Sequence, residues 1–300
     1  MTVHIHPDIQ SFLEYLKYEK RYSVHTLISY QTDLTGFYEY LHQQFGKILL
    51  KEIEHNYVRS WIADLKGKEM TSKSINRKIS SLKSFFKYHL RNGVIDTSPM
   101  IKVISPKISK RLPVFVREDD TKKMVDALNQ STEDWNSLNA RMLITIFYAT
   151  GMRLSELINL RDKQIDFSRS HIKVLGKGNK ERIIPVGKQV LEMINDYQQL
   201  KKKDFERTDD VLLVTERGKK LYPKYAYLLV NKVLGEAISL DKKSPHVLRH
   251  TFATHLMNNG ADLNAVKELL GHSSLASTQV YTHNTIEKLK DIHKKAHPKA

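Results

Sequence analysis

The sequence predicts a mainly α protein in two domains: a four-helix N-terminal domain, then a mostly helical domain with a small antiparallel β-sheet. Three observations carry this expectation. Apolar residues recur at helical spacing through most of the chain. A proline-rich basic stretch, DTSPMIKVISPKISKRLPVF (residues 96–115), interrupts that pattern. Two short β-like runs flank a GKGNK turn in the second part.

The first four helices are expected over Ile9–Tyr18, Thr26–Leu41, Tyr57–Leu65 and Ser72–Asn92. The fourth is the most informative. Gly93 follows it as a C′ residue, where a left-handed backbone ends a helix without steric cost. At 100° per residue, Ile75, Ile79, Leu82, Phe85, Phe86 and Leu90 share one face. Lys73, Arg77, Lys83, Lys87 and Arg91 share another, together with Ser80 and Ser84, and Lys78 breaks the pattern. A cationic stripe free of acidic residues suits a DNA phosphate backbone; it also suits a solvated helix face.

Pro99, Pro106 and Pro113 deny helix to the next stretch and favour extended chain. Its Lys102, Lys107, Lys110 and Arg111 suit a strap along phosphates as well as a solvated connection. The domains are therefore placed at residues 1–104 and 114–300, with a linker over 105–113. In the second domain, helices are expected over Glu118–Leu128, Asn139–Ala149 and Val190–Lys203. Ser170–Leu175 and Arg182–Val186 read as a hairpin, Val211–Val214 as a short strand, and several helices follow to the end.

Composition narrows the function classes. With 40% hydrophobic and 27% charged residues, the 300-residue chain is an ordinary globular protein. Its formal net charge of +16 is shared: 16 basic against 10 acidic residues through Lys107, and 33 against 23 after it. A basic surface on both domains suits a polyanion such as nucleic acid. Cysteine is absent, which excludes disulfides, thiolate metal sites and a cysteine nucleophile. No basic-then-apolar leader opens the chain, and no apolar run reaches the roughly eighteen residues of a membrane span. A cytoplasmic protein without membrane contact is the expectation.

Four motifs can carry chemistry. In ATGMRLSELINL (149–160), Gly151 ends one helix and another starts at Arg153, so Arg153 and Glu156 share a face at i, i+3, as a surface ion pair also would. HIKVLGKGNKERIIPVG (171–187) puts Lys177 in a glycine-flanked turn that lacks the spacing of a nucleotide-binding loop. In SPHVLRHTFATHLMNNG (244–260), Ser244 is a cap candidate and Pro245 the first helical residue. His246 and Arg249 lie about 60° apart on that helix. His246 and His250 raise the question of a metal, but there is no HExxH pattern and no acidic residue within 244–261. Finally LLGHSSLASTQVYTH (269–283) supplies His272 and Tyr281, with Gly271 ending a helix from Leu263 and Ser274 or Ser277 available to cap the next.

Two arginines, a lysine, two histidines and a tyrosine meet the needs of phosphoryl transfer without a metal. Guanidinium pairs clamp non-bridging oxygens and stabilise developing charge. A lysine can protonate a leaving oxygen, and a histidine can assist an attacking hydroxyl. A tyrosine hydroxyl, with its ordinary pKa of about 10, needs such help at neutral pH.

The ordered set TGMRLSEL, GKGNKER, HVLRHTFATHL, LLGHSS and QVYTH resembles the tyrosine recombinases of the phage integrase family, especially the short bacterial Xer type. The resemblance spans nearly the whole chain and is weaker over residues 1–107. It implies that the first domain is a SAM-like core-binding domain and the second the catalytic domain, together a clamp around DNA. It implies that Arg153 and Arg249 hold the scissile phosphate, Lys177 is the general acid, His246 assists the nucleophile, His272 hydrogen-bonds the phosphate and Tyr281 attacks. Glu156 takes the family's acidic position and orients its neighbours. A 3′-phosphotyrosine keeps the bond energy, so neither a cofactor nor a metal is expected. Expected partners are a double-stranded recombination site, a homo- or hetero-tetramer on two sites with a related recombinase, and a DNA translocase at the division septum. Ile286, Leu289, Ile292 and Ala296 can line a terminal helix that docks on a neighbouring protomer. Chromosome-dimer resolution at cell division is the expected role. A mobile-element integrase or excisionase, a type IB topoisomerase and a non-catalytic DNA-binding relative are the competing readings.

Overall fold

The computed structural model describes residues 6–108, 115–129, 134–176, 181–237 and 243–271. The chain divides into two compact units, Met1–Arg111 and Leu112–Ala300.

The first unit is a bundle of four helices: α1 (Pro7–Glu14), which continues through a π-helical turn at Tyr15–Glu19, α2 (Val24–Phe45), α3 (His55–Gly67) and α4 (Ser72–Arg91). Ser23 and Thr71 start α2 and α4, their hydroxyls accepting from the Thr26 and Ser74 amides. At the end of α4, Gly93 adopts φ 66°. Its amide donates to the Leu90 carbonyl, and the Val94 amide to that of His89. This pair of bonds satisfies carbonyls that the helix end would otherwise strand. The apolar face of α4 (Ile75, Ile79, Leu82, Phe85, Phe86) packs with Phe12, Leu34, Phe37 and Trp61 into one core.

Three features differ from the sequence expectation. Leu90 is 40% exposed, because it lies in the last turn of α4, beyond the part of the face that the core covers. Lys78, which interrupts that face, is accounted for by Asp33: the fully buried carboxylate accepts from Lys78 at 3.1 Å and from Ser81 at 2.8 Å, and also pairs with Arg77. Buried charge has to be paired, and these donors come from α4 itself. The proline-rich stretch also does more than connect: Met100 and Val103 are buried in the first core, while the Asn76 side chain donates to the Pro106 carbonyl at 2.8 Å.

The second unit comprises α5 (Glu118–Asn129), α6 (Trp135–Thr150), α7 (Leu154–Leu157), β1 (Ile165–Asp166), β2 (His171–Leu175), β3 (Glu181–Pro185), α8 (Lys188–Asp204), α9 (Pro223–Ala237), α10 (Pro245–Asn258) and α11 (Leu263–Leu270). Helix α6 is its axis, buried from Leu138 to Thr150 apart from Arg141, with α5, α8, α9 and α10 packed around it. The sheet runs β1-β2-β3, antiparallel throughout, with Ile172 opposite Ile184 and Val174 opposite Arg182. Strand β1 is only two residues long and carries no periodicity of its own.

Val211–Val214 is not a strand. Only Val214 bridges, to Lys220. The run is buried nonetheless, because side chains replace the ladder: Lys201 donates to the Val211 and Leu212 carbonyls, and Asn139 to that of Val214. Ser244 occupies the cap position of α10, yet its hydroxyl makes no capping bond; its carbonyl instead accepts from the Val247 amide at 2.9 Å.

Candidate active site

Gly151 ends α6 in the left-handed conformation, φ 58°, and its amide donates to the Phe147 carbonyl. Two residues later Arg153 caps α7. Glu156 at the third position of that helix reaches back, its Oε2 accepting from the Arg153 amide at 2.8 Å. Its Oε1 accepts from Arg153 Nη1 at 2.7 Å. The i, i+3 spacing alone predicts a surface ion pair, but the Glu156 side chain is only 6% exposed.

A second cation explains the burial. Arg182 donates from Nη1 to Glu156 Oε1 at 3.0 Å and from Nη2 to Oε2 at 2.8 Å. The strand alternation puts Arg182 on the inward face of β3 with Ile184, so a charge enters the interior and must be met there. Sequence reasoning gave Arg182 no role; applying the period of two to the charged residue, as well as to its apolar neighbours, would have found it. Burial pushes the Glu156 carboxyl up, but hydrogen bonds from Arg182 and Arg153 outweigh this and hold it down at about 2.

Arg249 comes from α10 and is nearly buried. It donates to the Gly151 carbonyl, and from Nη2 to the Leu270 carbonyl at 2.7 Å. Burial, then the charge of Arg153, push its guanidinium down to about 10, against the pull of Glu156, with Arg182 adding to the depression. It stays protonated at neutral pH. Arg153 Nη2 donates to the Gly271 carbonyl at 3.2 Å, and Arg182 Nε to the Leu269 carbonyl at 2.8 Å. Three arginines from three separate elements thus bind three consecutive carbonyls at the end of α11. The negative end of the helix dipole favours these cations there. One carboxylate faces three guanidinium groups, so the cluster keeps a net positive charge for an anion.

His246 is exposed one turn ahead of Arg249. His250 is partly buried, and among the described residues no three His, Asp or Glu side chains are grouped to hold a metal ion. Another histidine on α10 that the sequence did not single out, His255, is buried; its Nε2 donates to the Val116 carbonyl at 2.8 Å, so its Nδ1 accepts from Tyr148 at 3.0 Å. Thr251 accepts from the Val116 amide at 2.9 Å, so the start of the second unit is sewn to the helix that carries His246 and Arg249. The structure therefore brings Arg153, Glu156 and Arg249 together and leaves His246 facing solvent on the same helix as Arg249. Lys177, His272 and Tyr281 lie outside the described residues, as does the 286–296 apolar stripe. In the first unit, Lys73, Arg77, Lys83, Lys87 and Arg91 are all exposed on α4. Arg77 is tethered by Asp33, and Arg91 stacks 4.8 Å over the Tyr15 ring.

Residues 114–288 match the phage integrase family, and residues 9–93 match that family's N-terminal SAM-like domain. The chain belongs to the phage integrase family, as a Xer-type tyrosine recombinase. "Tyrosine recombinase XerC" of Pelotomaculum thermopropionicum is 37% identical over 311 residues, covering 100% of this chain and 99% of that one. The protein of the same name from Anoxybacillus flavithermus is 39% identical over 296 residues, covering 96% and 97%. Among solved structures, a XerH site-specific recombinase bound to its difH substrate shares the fold with a TM-score of 0.70, 22% identity, and 93% and 83% coverage. A lambda integrase fragment bound to a core site does so with a TM-score of 0.69, 16% identity, and 94% and 100% coverage. This recombinase is an enzyme that cleaves and rejoins DNA strands at specific sites. Among the described residues no helix of the recombinase is long and apolar enough to cross a membrane.

Proposed function

We propose that the protein resolves chromosome dimers by exchanging strands between two recombination sites. The observation that carries the chemistry is the convergence of Arg153 and Arg249 on adjacent carbonyls, Gly271 and Leu270, in a cluster of net positive charge. Two guanidinium groups so placed can hold both non-bridging oxygens of one phosphate. Tyr281 Oη then attacks phosphorus, with His246 assisting its proton transfer, and a 3′-phosphotyrosine bond forms as the P–O5′ bond breaks. Lys177 protonates the departing 5′ oxygen, and His272 donates to the phosphate. The 5′ hydroxyl of the partner duplex attacks the phosphotyrosine in turn and releases Tyr281. Arg153 and Arg249 stabilise the charge that develops on the phosphate in both steps.

The reaction joins four strand ends, so four protomers act on two sites, with a related recombinase supplying half of them. Lys73, Arg77, Lys83, Lys87 and Arg91 hold the duplex backbone through the SAM-like domain, and residues 105–113 link it to the catalytic domain. The terminal stripe Ile286, Leu289, Ile292 and Ala296 docks on the neighbouring protomer. A translocase at the division septum activates the complex, in the cytoplasm where the chromosome lies.

The test is incubation of the protein with a nicked duplex carrying the chromosomal site that it binds, followed by denaturation. A covalent protein–DNA adduct is expected, and Tyr281→Phe abolishes it. No adduct, or one that survives Tyr281→Phe, overturns the catalytic assignment. Deleting the gene gives chained, unsegregated chromosomes; normal segregation with loss of element excision assigns the enzyme to a mobile element instead.

A further inference from the structure

The Glu156 carboxylate has four acceptor positions. All are filled: two by the Arg153 amide and Nη1, two by Arg182 Nη1 and Nη2. Arg182 uses all three of its nitrogens but not all five N–H groups. Each of its three nitrogens donates inward, the third to the Leu269 carbonyl, and its side chain is 5% exposed. It offers almost no surface to solvent. Gly271 marks how closely the side chain passes the end of α11: a Cβ there would come within 3.1 Å of Arg182 Cδ and 3.3 Å of Nη1.

We infer that Arg182 is a positioning residue for strand cleavage, locking Arg153 through Glu156 and the end of α11 through the Leu269 carbonyl. The inference rests on the reading of Arg153 and Arg249 as the phosphate clamp. Stability alone is a weak reason for this pair, because a buried ion pair seldom outperforms apolar side chains of the same volume. What the pair supplies is orientation. A planar guanidinium meeting a planar carboxylate through two parallel bonds permits one arrangement, which a lysine cannot reproduce. Without Arg182, the Glu156 carboxylate can turn about its own bonds, and Arg153 loses the fixed partner that aims it. The Leu269 carbonyl loses its donor in the same step. Leu270 and Gly271 follow directly and are the residues that Arg249 and Arg153 bind. One substitution therefore shifts both clamp arginines and the segment that leads into His272.

The experiment uses the full chain, the nicked duplex carrying its chromosomal site, and the variants Arg182→Gln and Arg182→Lys. Thermal unfolding first fixes a temperature at which each variant is folded. The first-order rate of adduct formation is then measured at saturating protein, beside the DNA dissociation constant. The expected result is a rate about 100-fold lower for Arg182→Gln and about 10-fold lower for Arg182→Lys, the scale of a misplacement of about 1 Å. Binding stays within about twofold, because the buried Arg182 has almost no surface to offer a ligand. The ratio of wild-type to Arg182→Gln rates also widens as pH falls from about 7 to about 5. Glu156 loses hydrogen bonds that hold its proton off, while Arg153, Arg249 and burial remain around it. Folded variants that cleave at the wild-type rate overturn the inference. So does a loss of binding that parallels the loss of cleavage, or failure of both variants to fold, which would assign Arg182 to stability. If the wild-type protein forms no adduct, the clamp reading itself fails; wild-type cleavage with unimpaired variants removes only the role of Arg182.

Discussion

Arg249 on α10 and Leu270 on α11 are joined by a 2.7 Å hydrogen bond from guanidinium to carbonyl. The same guanidinium holds the Gly151 carbonyl at the end of α6, so three helices share one charge. Lysine cannot span these positions, because it offers one point charge in place of a planar fork. Arg249→Lys is expected to lower adduct formation by about 100- to 1000-fold, the loss typical of one preorganised charge-stabilising donor. Single-turnover cleavage at saturating protein measures it. Since Arg249 is only one of many cations, non-specific DNA affinity is expected to change by less than about threefold.

The buried Glu156 makes the catalytic unit sensitive to acid. Its folded carboxyl sits at about 2, below the ordinary value of 4.5. The unfolded chain therefore binds more protons between these values, and stability falls as pH falls. The contribution is whole above about 4.5 and is lost as pH drops through about 2, amounting to about 3 kcal/mol. Glu156→Gln strands the Arg182 charge and is expected to cost about 3–5 kcal/mol near neutral pH. Urea unfolding at a series of pH values checks both points: the gap between wild type and variant narrows on acidification.

Much of this was legible in the sequence, for identifiable reasons. The α4 stripe and the hairpin are set by local periodicity, and Gly93, Gly151 and Gly271 all take the left-handed conformation expected at helix ends. What local pattern misses is burial imposed from a distance. Lys78 breaks a helical face in the sequence, and its partner, Asp33, comes from α2. Val211–Val214 has the composition of a strand, but Lys201 and Asn139 satisfy its carbonyls, and no neighbouring strand is needed. The alternation of β3 marks Arg182 as inward-facing, but nothing local tells that its partner is Glu156, many residues upstream. Arg153, His246 and Arg249 are legible through the order of the motifs; the carbonyls that join the two arginines are not.

The exposed lysines of α4 are expected to contribute to binding in a manner that carries no sequence information. Lys73→Ala, Lys83→Ala and Lys87→Ala should each weaken site and non-site DNA alike and lower the log–log salt slope by about 1. Arg77→Ala should do the same and also destabilise the first unit by about 1–3 kcal/mol, because the fully buried Asp33 loses a donor. Salt titration of DNA binding, paired with thermal unfolding, separates the two effects. A lysine variant with an unchanged slope removes that side chain from the interface.

Gly151 joins backbone strain, packing and chemistry at a single position. Its φ of 58° is a conformation that costs a residue with a Cβ about 1–2 kcal/mol. A Cβ would also lie 2.9 Å from Leu270 Cδ2 and closer still to the Phe252 ring. Both neighbours belong to the α10–α11 core and are almost wholly buried, so neither can swing into solvent. The combined cost of Gly151→Ala is expected to exceed about 2 kcal/mol. At about 2–4 °C per kcal/mol, the melting temperature falls by several degrees. The effect on cleavage should be larger than the loss of folded protein explains. A methyl group that pushes Leu270 away also moves the carbonyl held by Arg249, and the Gly151 carbonyl holds that same guanidinium from the other side. Cleavage rates normalised to the folded fraction should therefore still fall by about 10-fold or more. A normalised rate equal to wild type would show that the clamp tolerates displacement of both carbonyls.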